Sequence, residues 1–347
     1  MRLLAGLRDR GHEVVLLCNS DVVIEQALER GVPARRCVIG GDAMVPHAFM
    51  LARVLRRIRP DVFMVGTYKK LFLAALGARM AGVPRVVVRI GLESDTPSRH
   101  AKYRFALRRW TDGVVVIAQG MVASFAELDG FSAEKVTVIH NGVRQPPRKK
   151  PPGSVRRELG IPADAFVIGT VARLDRQKRL DRLLDAMALL PKEIHCIIAG
   201  SGDQGDELVT KSTALGLAGR VHFAGERDDI GDVDSSLDVY VVASDREGHS
   251  NSMIEAMSWR VPVVSTPVSG AEDSILGGEQ PAGIIANFTA ESIADAILSL
   301  RNDPARLRAM GEAAGDNVAQ LFSIETMFDK WEAALIPTRP PILPAPG

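Results

Sequence analysis

Two glutamates, Glu247 and Glu255, bracket the small polar stretch Gly248-His249-Ser250-Asn251-Ser252. The residues before them, Leu237–Ser244, form an apolar run that reads as a buried strand. Those after, Met253-Ile254-Glu255-Ala256-Met257, read as a helix. Gly248 permits a tight turn out of the strand. Ser250, Asn251 and Ser252 are all good N-cap residues. A helix start exposes unpaired backbone N–H groups and the positive end of a dipole, which suits a diphosphate. A plainer reading competes: Ser252-Met253-Ile254-Glu255 is also a capping box, in which Glu255 only accepts from the Ser252 N–H. This segment alone leaves both open.

A second segment offers the matching charge. Val167–Leu180 reads as a strand, a loop with two well-placed cations, and the start of a helix. Arg173 and Lys178 fall at the strand's carboxyl end, where open α/β sheets bind ligands. Arginine presents a fork to phosphate oxygens and lysine a point charge. Ordinary surface cations are the alternative. Asp232-Val233-Asp234 has the Asp-x-Asp form of a metal motif, but it lies in a polar run leading into a helix expected over 234–237. Aspartate favours first turns, so no metal site is expected there. His195 and Cys196 fall within a strand and read as core or strand-face residues.

The elements that must position these groups alternate in type. In the first half, strands are expected over Glu13–Cys18, Asp61–Gly66, Arg85–Ile90, Gly113–Ala118 and Val136–Ile139. Helices are expected over Leu3–Arg10, Ala48–Ile58, Leu71–Met80, Tyr103–Trp110 and Val122–Leu128. On Ala48–Ile58 the apolar face is Phe49, Leu51, Val54, Leu55 and Ile58, opposed by Arg53, Arg56 and Arg57, and it is expected to dock on the sheet. A turn at His140-Asn141-Gly142-Val143 and a proline-rich, charged stretch then interrupt the pattern, so 146–154 reads as a linker. The alternation resumes in strands over Phe166–Ala172, His195–Ala199, Val221–Ala224, Val239–Ala243 and Pro262–Thr266. Its helices are Leu180–Leu189, Asp206–Leu215, Ser252–Trp259 and Ser292–Leu300. The reading is α/β, with two doubly wound, mainly parallel domains facing a cleft. The proline-rich tail, 337–347, is expected to be flexible.

Composition agrees. A chain of 347 residues suggests two domains. Hydrophobic residues make up 46% but aromatics only 5%, so Val, Ile, Leu and Ala fill the cores, as in parallel sheets covered on both faces. Cys18, Cys37 and Cys196 are scattered and odd in number, which gives neither a disulfide framework nor a zinc spacing and suggests a reducing compartment. No secretion signal is expected, and no apolar run approaches the roughly 18 residues of a membrane span. Net charge is +1, yet residues 1–150 hold 25 bases against 13 acids, and the remainder 18 against 29. A basic half suggests an anionic partner, or simply a solvated basic face. Bases are not interleaved with aromatics, so nucleic acid is not expected. A doubly wound domain normally opens with a strand and a glycine-rich turn. Here Leu3–Arg10 already reads as the helix that follows them, so either the native start lies upstream of Met1, which is the expectation, or this domain is damaged.

Taken in order, these segments resemble glycosyltransferase family 4, retaining enzymes of the GT-B fold. The resemblance rests on Gly169–Lys178, Ile198-Ala199-Gly200-Ser201-Gly202, Val221-His222-Phe223-Ala224-Gly225, Glu247–Met257 and Val261–Thr266. The two glutamates fit the family's Glu-x7-Glu pattern. In the first half Leu7–Val15, Pro60–Gly66, Ala81-Gly82-Val83-Pro84 and His140-Asn141-Gly142-Val143 also match, so the likeness runs from Leu3 to about Ala334. It implies an acceptor-side domain over 1–145, a nucleotide-sugar domain over 155–320, and a helix over 321–336 returning to the first domain. Closure about His140–Ser154 would exclude water from the cleft.

By the same resemblance, Arg173 and Lys178 bind the donor diphosphate and Glu255 the ribose. Glu247 with Gly248, His249, Ser250 and Asn251 holds the transferred sugar. The catalytic set is Glu247, Arg173 and Lys178. The two cations stabilise the departing nucleoside diphosphate, and no metal or other cofactor is needed. Arg227 lies where the family approaches the base. The family's histidine after the strand Arg85–Ile90 is absent here, so Glu93 and Asp95 are the acceptor-side candidates, against a plain polar loop. The implied partners are a nucleotide-sugar and a glycan or lipid-linked acceptor in cell-surface polysaccharide synthesis. Arg53, Arg56, Arg57, Lys69, Lys70, Arg104, Arg108 and Arg109 would suit peripheral contact at the cytoplasmic membrane face. Two alternatives remain: a nucleotide-sugar-binding or scaffold protein without turnover, and a GT-B nucleotide-sugar epimerase.

Overall fold

The computed structural model describes residues 1–37, 45–91, 101–126, 128 and 131–336. Glu93, Asp95 and the expected flexible tail 337–347 lie outside the described residues. The chain forms two compact units, Met1–Ile139 with Met327–Gly347, and His140–Thr326.

In the first unit the order is α1 (Arg2–Asp9), β1 (Leu16–Cys18), α2 (Asp21–Glu29), β2 (Ala34–Arg36), α3 (Pro46–Ile58) and β3 (Val62–Val65). It continues with α4 (Leu71–Ala81), β4 (Arg85–Ile90), α5 (Ala101–Trp110), β5 (Gly113–Val116), α6 (Ala123–Ala126) and β6 (Val136–Val138). Strands β3-β4-β5-β6 form one parallel ladder, and β1-β2 a separate parallel pair. The valine runs of β4 and β5 are buried on both faces, which is why they read as continuous apolar strands.

One face was misread. Helix α3 buries Ala48, Leu51, Ala52 and Leu55, whereas Phe49 is 59% exposed. The small residues choose the contact: α3 lies against α4 at Gly77, where a Cβ would come 2.9 Å from the Ala48 carbonyl oxygen. Backbones that close leave no room for a phenyl ring on that side.

The second unit holds α7 (Ser154–Glu158), β7 (Phe166–Val171), α8 (Leu180–Leu189), β8 (Ile194–Ala199), α9 (Gly205–Ala214), β9 (Val221–Gly225), α10 (Ile230–Asp234) and β10 (Val239–Val242). Then come α11 (Asn251–Ser258), β11 (Val263–Ser265), α12 (Ser269–Leu276), β12 (Gly283–Ile285), α13 (Ala290–Arg301), α14 (Pro304–Leu321) and α15 (Ile324–Leu335), which runs on into the first unit. All six strands are parallel, in the order β12-β11-β10-β7-β8-β9. Chain order reverses between β7 and β10, and that reversal is where such sheets open a ligand crevice. Side chains alternate across the sheet. Val167, Tyr240, Val242 and Val263 meet Ile254, Met257 and Phe322 on one face, while Ile168, Val239, Val241 and Val264 meet Leu183, Leu184, Ile297 and Leu300 on the other.

The part of α15 belonging to the first unit is well tied there. Trp331 is 2% exposed, Arg10 donates to Asp329 and Glu332 at 2.6 and 2.8 Å, and the Arg85 guanidinium reaches the Ala334 carbonyl at 2.7 Å. Residues 145–150 are held against the second unit. Gln145 donates to the Ser258 carbonyl at 2.6 Å, and Arg148 lies 4.8 Å over the Trp259 ring. Asp232 accepts from the Lys149 and Lys150 N–H groups at 2.9 and 3.2 Å. The helix that contains Asp232 and Asp234 is α10, so it starts four residues before the expected 234–237. Asp232 anchors that proline-rich segment.

Candidate functional site

The carboxyl ends of β7 and β10, adjacent parallel strands, lie side by side at the reversal in strand order. Together with the start of α11 they line a small crevice that includes Val171, Lys178, Tyr240, Ser244, Glu247 and Ser252. Lys178 donates to Glu247 Oε1, and the Ser244 hydroxyl donates to the same oxygen at 3.1 Å. The two charged side chains are mostly buried, 16% and 11% exposed. A short helical turn, Arg176–Lys178, delivers the lysine, and the Asp175 side chain caps it by accepting from the Lys178 N–H at 3.2 Å.

Arg173 lies on the same loop, paired with Asp175 at 2.9 Å and 76% exposed. The structure therefore joins Lys178 to Glu247 directly and leaves Arg173 at the surface. The loop after β7 is shaped by close backbone contact with the end of β8. Leu174 N–H donates to the Ser201 carbonyl at 2.9 Å. Gly200, at φ +137°, sits where a Cβ would overlap the Ala172 carbonyl.

Helix α11 starts at Asn251, with Ser250 as its N-cap and no described side chain bonded as a cap. Ser252 is thus inside the first turn, and the capping box with Ser252 as cap does not form in that register. Its hydroxyl is instead 2.9 Å from the Tyr240 hydroxyl. Glu255, one turn in, is partly exposed. His249 is 5% exposed, and its Nε2 is 3.2 Å from Ser274 Oγ. Burial, and then the neighbouring His140, hold this imidazole well below its ordinary range. His249 faces inward, so it can serve a ligand only through its backbone. The Asn141 side chain holds the His249 carbonyl at 3.2 Å.

Arg227 is committed elsewhere. It donates to both oxygens of Glu158, at 2.7 and 3.1 Å, and of Asp229, at 2.8 and 2.7 Å, and is 8% exposed. Its guanidinium, with Lys150 beside it, holds the Glu158 carboxyl down to about 2. Sequence reasoning did not single out Tyr240, Ser244, Arg179 or Asp245, all of which shape the site. Ser244 and Asp245 stand beside Glu247 in the chain, and that adjacency was the available signal.

The crevice brings together a cation, a carboxylate and a helix N-terminus. Cations and N–H groups take phosphate oxygens, and carboxylates accept from hydroxyls, so the site suits a phosphorylated polyol.

Two family models and several known proteins match the chain. The family model described as Glycosyl transferases group 1 matches residues 154–316, and that described as Glycosyltransferase Family 4 matches residues 1–145. A lipopolysaccharide core biosynthesis mannosyltransferase of Rhizobium meliloti is 31% identical over 256 residues, 70% of each chain. A lipopolysaccharide core biosynthesis glycosyltransferase of the same organism is 28% identical over 281 residues, 80% of this chain and 76% of its own. The crystal structure of Anabaena HepE in complex with UDP superposes with a TM-score of 0.82 at 22% identity, over 95% of this chain and 93% of that one. A glycosyltransferase from Rickettsia africae gives 0.83 at 16% identity, over 97% and 94%. Among the described residues no helix is long and apolar enough to cross a membrane.

Proposed function

We propose, from the premise that the chain belongs to the family 4 glycosyltransferases, that it moves a sugar with retention from a nucleotide-diphosphate donor bound in the β7–β10 crevice. The observation that carries the donor site is the Lys178–Glu247 ion pair at the reversal in strand order, beside an α11 start without a side-chain cap. Lys178 and the exposed Arg173 meet the diphosphate. Glu255 takes the ribose hydroxyls. Glu247 and the N–H groups of 248–251 hold the sugar. A diphosphate entering here competes with Glu247 for the Lys178 ammonium and frees the carboxylate to accept from sugar hydroxyls. As the glycosidic bond breaks, negative charge grows on the leaving phosphate, and fixed cations with oriented N–H groups stabilise it without a metal ion.

The acceptor is a glycan or glycolipid of the cell surface, a reading supported by relatives named for lipopolysaccharide core biosynthesis. The first unit supports peripheral contact with the cytoplasmic membrane face. Arg53, Arg56, Arg57, Arg104, Arg108 and Arg109 are exposed, as are the apolar Phe49, Met50 and Phe105. Each base near anionic lipid contributes about 1 kcal/mol. Sedimentation with phosphatidylglycerol vesicles, lost with phosphatidylcholine vesicles, tests this contact.

Thermal unfolding with UDP and with GDP, beside a Glu255→Ala variant, tests the donor site. Saturation to 100 times Kd contributes about 2.7 kcal/mol, so one nucleotide should raise the midpoint by several degrees and lose that effect in the variant. No shift with either nucleotide, from a cooperatively melting chain, would refute the donor site. Binding without sugar transfer would favour a scaffold role, and conversion of the donor without acceptor an epimerase.

A further inference from the structure

The residue after Lys178 is Arg179, at φ +49° and ψ +44°. Glycine adopts this left-handed conformation freely and arginine does not. Arg179 also occupies the N-cap position of α8 with no side-chain cap bond, where Ser, Asp or Asn would serve the helix better. Neither the backbone nor the helix explains an arginine here. Its guanidinium does. Nε and Nη2 donate to the two Asp181 oxygens at 2.9 and 3.0 Å, and Nη1 reaches both Asp245 oxygens at 3.1 Å.

Asp245 stands two residues before Glu247. It also accepts from Arg182 Nη2 at 2.6 Å, and Arg182, 7% exposed, donates to the Ala243 carbonyl at 2.6 Å. The Asp245 N–H donates to the Gln177 carbonyl at 3.1 Å, and the Gln177 side chain to the Arg246 carbonyl at 2.9 Å. Apart from the Arg179–Asp181 pair, each of these bonds joins the loop after β7, or the start of α8 that follows it, to the loop after β10.

We propose that Arg179 and Asp245 are positioning residues, a clamp that fixes the spacing between Lys178 and Glu247 and so sets affinity for the donor diphosphate. The clamp does not touch the ligand. Lys178 has a long, flexible stem, and a shift of one loop against the other would let its ammonium leave the crevice. The arginine is retained in a strained backbone because glycine, which relieves the strain, cannot span two carboxylates. This inference rests on the donor-site reading above for its affinity readout, and has a second readout that does not.

The test compares wild type with Arg179→Gly, Asp245→Asn and the double variant. Arg179→Gly is expected to hold or raise the thermal midpoint, while affinity for whichever of UDP or GDP binds falls about tenfold. The double variant should lose no more than the worse single one, because the two residues act as a unit. Independently, the rate at which an acetylating reagent modifies Lys178, read by mass spectrometry, should rise severalfold in both single variants. A fall in midpoint for Arg179→Gly would make Arg179 a structural residue and overturn the proposal. So would unchanged Lys178 reactivity. If no nucleotide binds even the wild type, yet Lys178 reactivity rises as stated, the clamp stands and the donor reading fails.

Discussion

The Tyr240 hydroxyl lies 2.9 Å from Ser252 Oγ and donates to the Val171 carbonyl at 3.0 Å, while the Val171 N–H donates back to it at 3.1 Å. One buried phenol thus ties the end of β7 to the first turn of α11, the two walls of the crevice. Tyr240→Phe leaves the part-buried Val171 N–H without this acceptor, at a cost of about 0.5–1.5 kcal/mol. The thermal midpoint is expected to fall by about 2–4 °C per kcal/mol. Nucleotide affinity should fall with it, because the α11 start loses its tether to β7. A variant that melts and binds like wild type would show that the phenol is ordinary filling.

Asp234 is fully buried, and neither carboxylate oxygen has a hydrogen-bond partner among the described residues. Burial, and then Glu255 nearby, raise its carboxyl well above the usual range. A folded-state value above the unfolded one contributes stability that is complete below the unfolded value of about 3.9. That stability is lost as pH rises toward the folded value. Asp234→Asn cannot ionise, so denaturant unfolding should find it more stable than wild type, by a margin that widens with pH until Asp234 has ionised. A constant margin from pH 4 to 8 would contradict this.

His249 works in the opposite direction. Its folded-state value is depressed, so its contribution is complete above the unfolded value of about 6.5 and is lost as pH falls below it, at up to about 1.4 kcal/mol per pH unit. The His140 ring, whose Nε2 is 2.9 Å from Asp273 Oδ2, lies 5.0 Å from the His249 ring, centroid to centroid. Between pH 7 and 5 the wild-type midpoint should drop, and His249→Gln should flatten that slope. Some slope should remain. His195 and His222, with ring nitrogens 3.1 Å apart, are also depressed by burial and add a loss of the same sign.

The strands with long valine and isoleucine runs were legible. Arg85–Ile90 and Leu180–Leu189 were read to the residue, because a doubly covered strand and an amphipathic helix leave clear periods. The elements without a reading were α2, β2, α7, α12, β12 and α14. Strand β2 is Ala-Arg-Arg and half exposed, and β12 is three residues beginning with glycine, so neither has a period to read. Helix α14 buries Gly311, Ala313, Ala314 and Asn317 beside Met310 and Val318, so most of its packed positions are small or polar and carry little hydrophobic signal. At the site, Lys178 and Glu247 were each visible as a charge after a strand. Their contact was not, since 69 residues separate them in the chain and only the reversal in strand order makes them neighbours. Tyr240 looked like one more apolar position in β10, and nothing in its flanks told where its hydroxyl would point.

Gly270, in the first turn of α12, supports the opposite side of the Glu247 loop. A Cβ there would overlap the Gly248 carbonyl oxygen and come within 2.8 Å of His249 Cα. The neighbour is backbone, so it cannot swing aside, and the loop itself must move. Overpacking of this kind costs about 1–3 kcal/mol. Gly270→Ala is therefore expected to lower the midpoint of the second unit and to weaken nucleotide binding more than that loss of stability accounts for, because the displaced segment carries the N–H groups of 248–251. Gly205→Ala is the control. Its Cβ would meet Leu174 Cδ1 at an ordinary 3.7 Å, and it lies in a helix, so stability should hold or rise. Titration of UDP and GDP against both variants decides it. If Gly270→Ala binds as tightly as Gly205→Ala, the backbone of 248–251 does not hold the ligand, and Lys178, Arg173 and Glu255 must account for donor affinity alone.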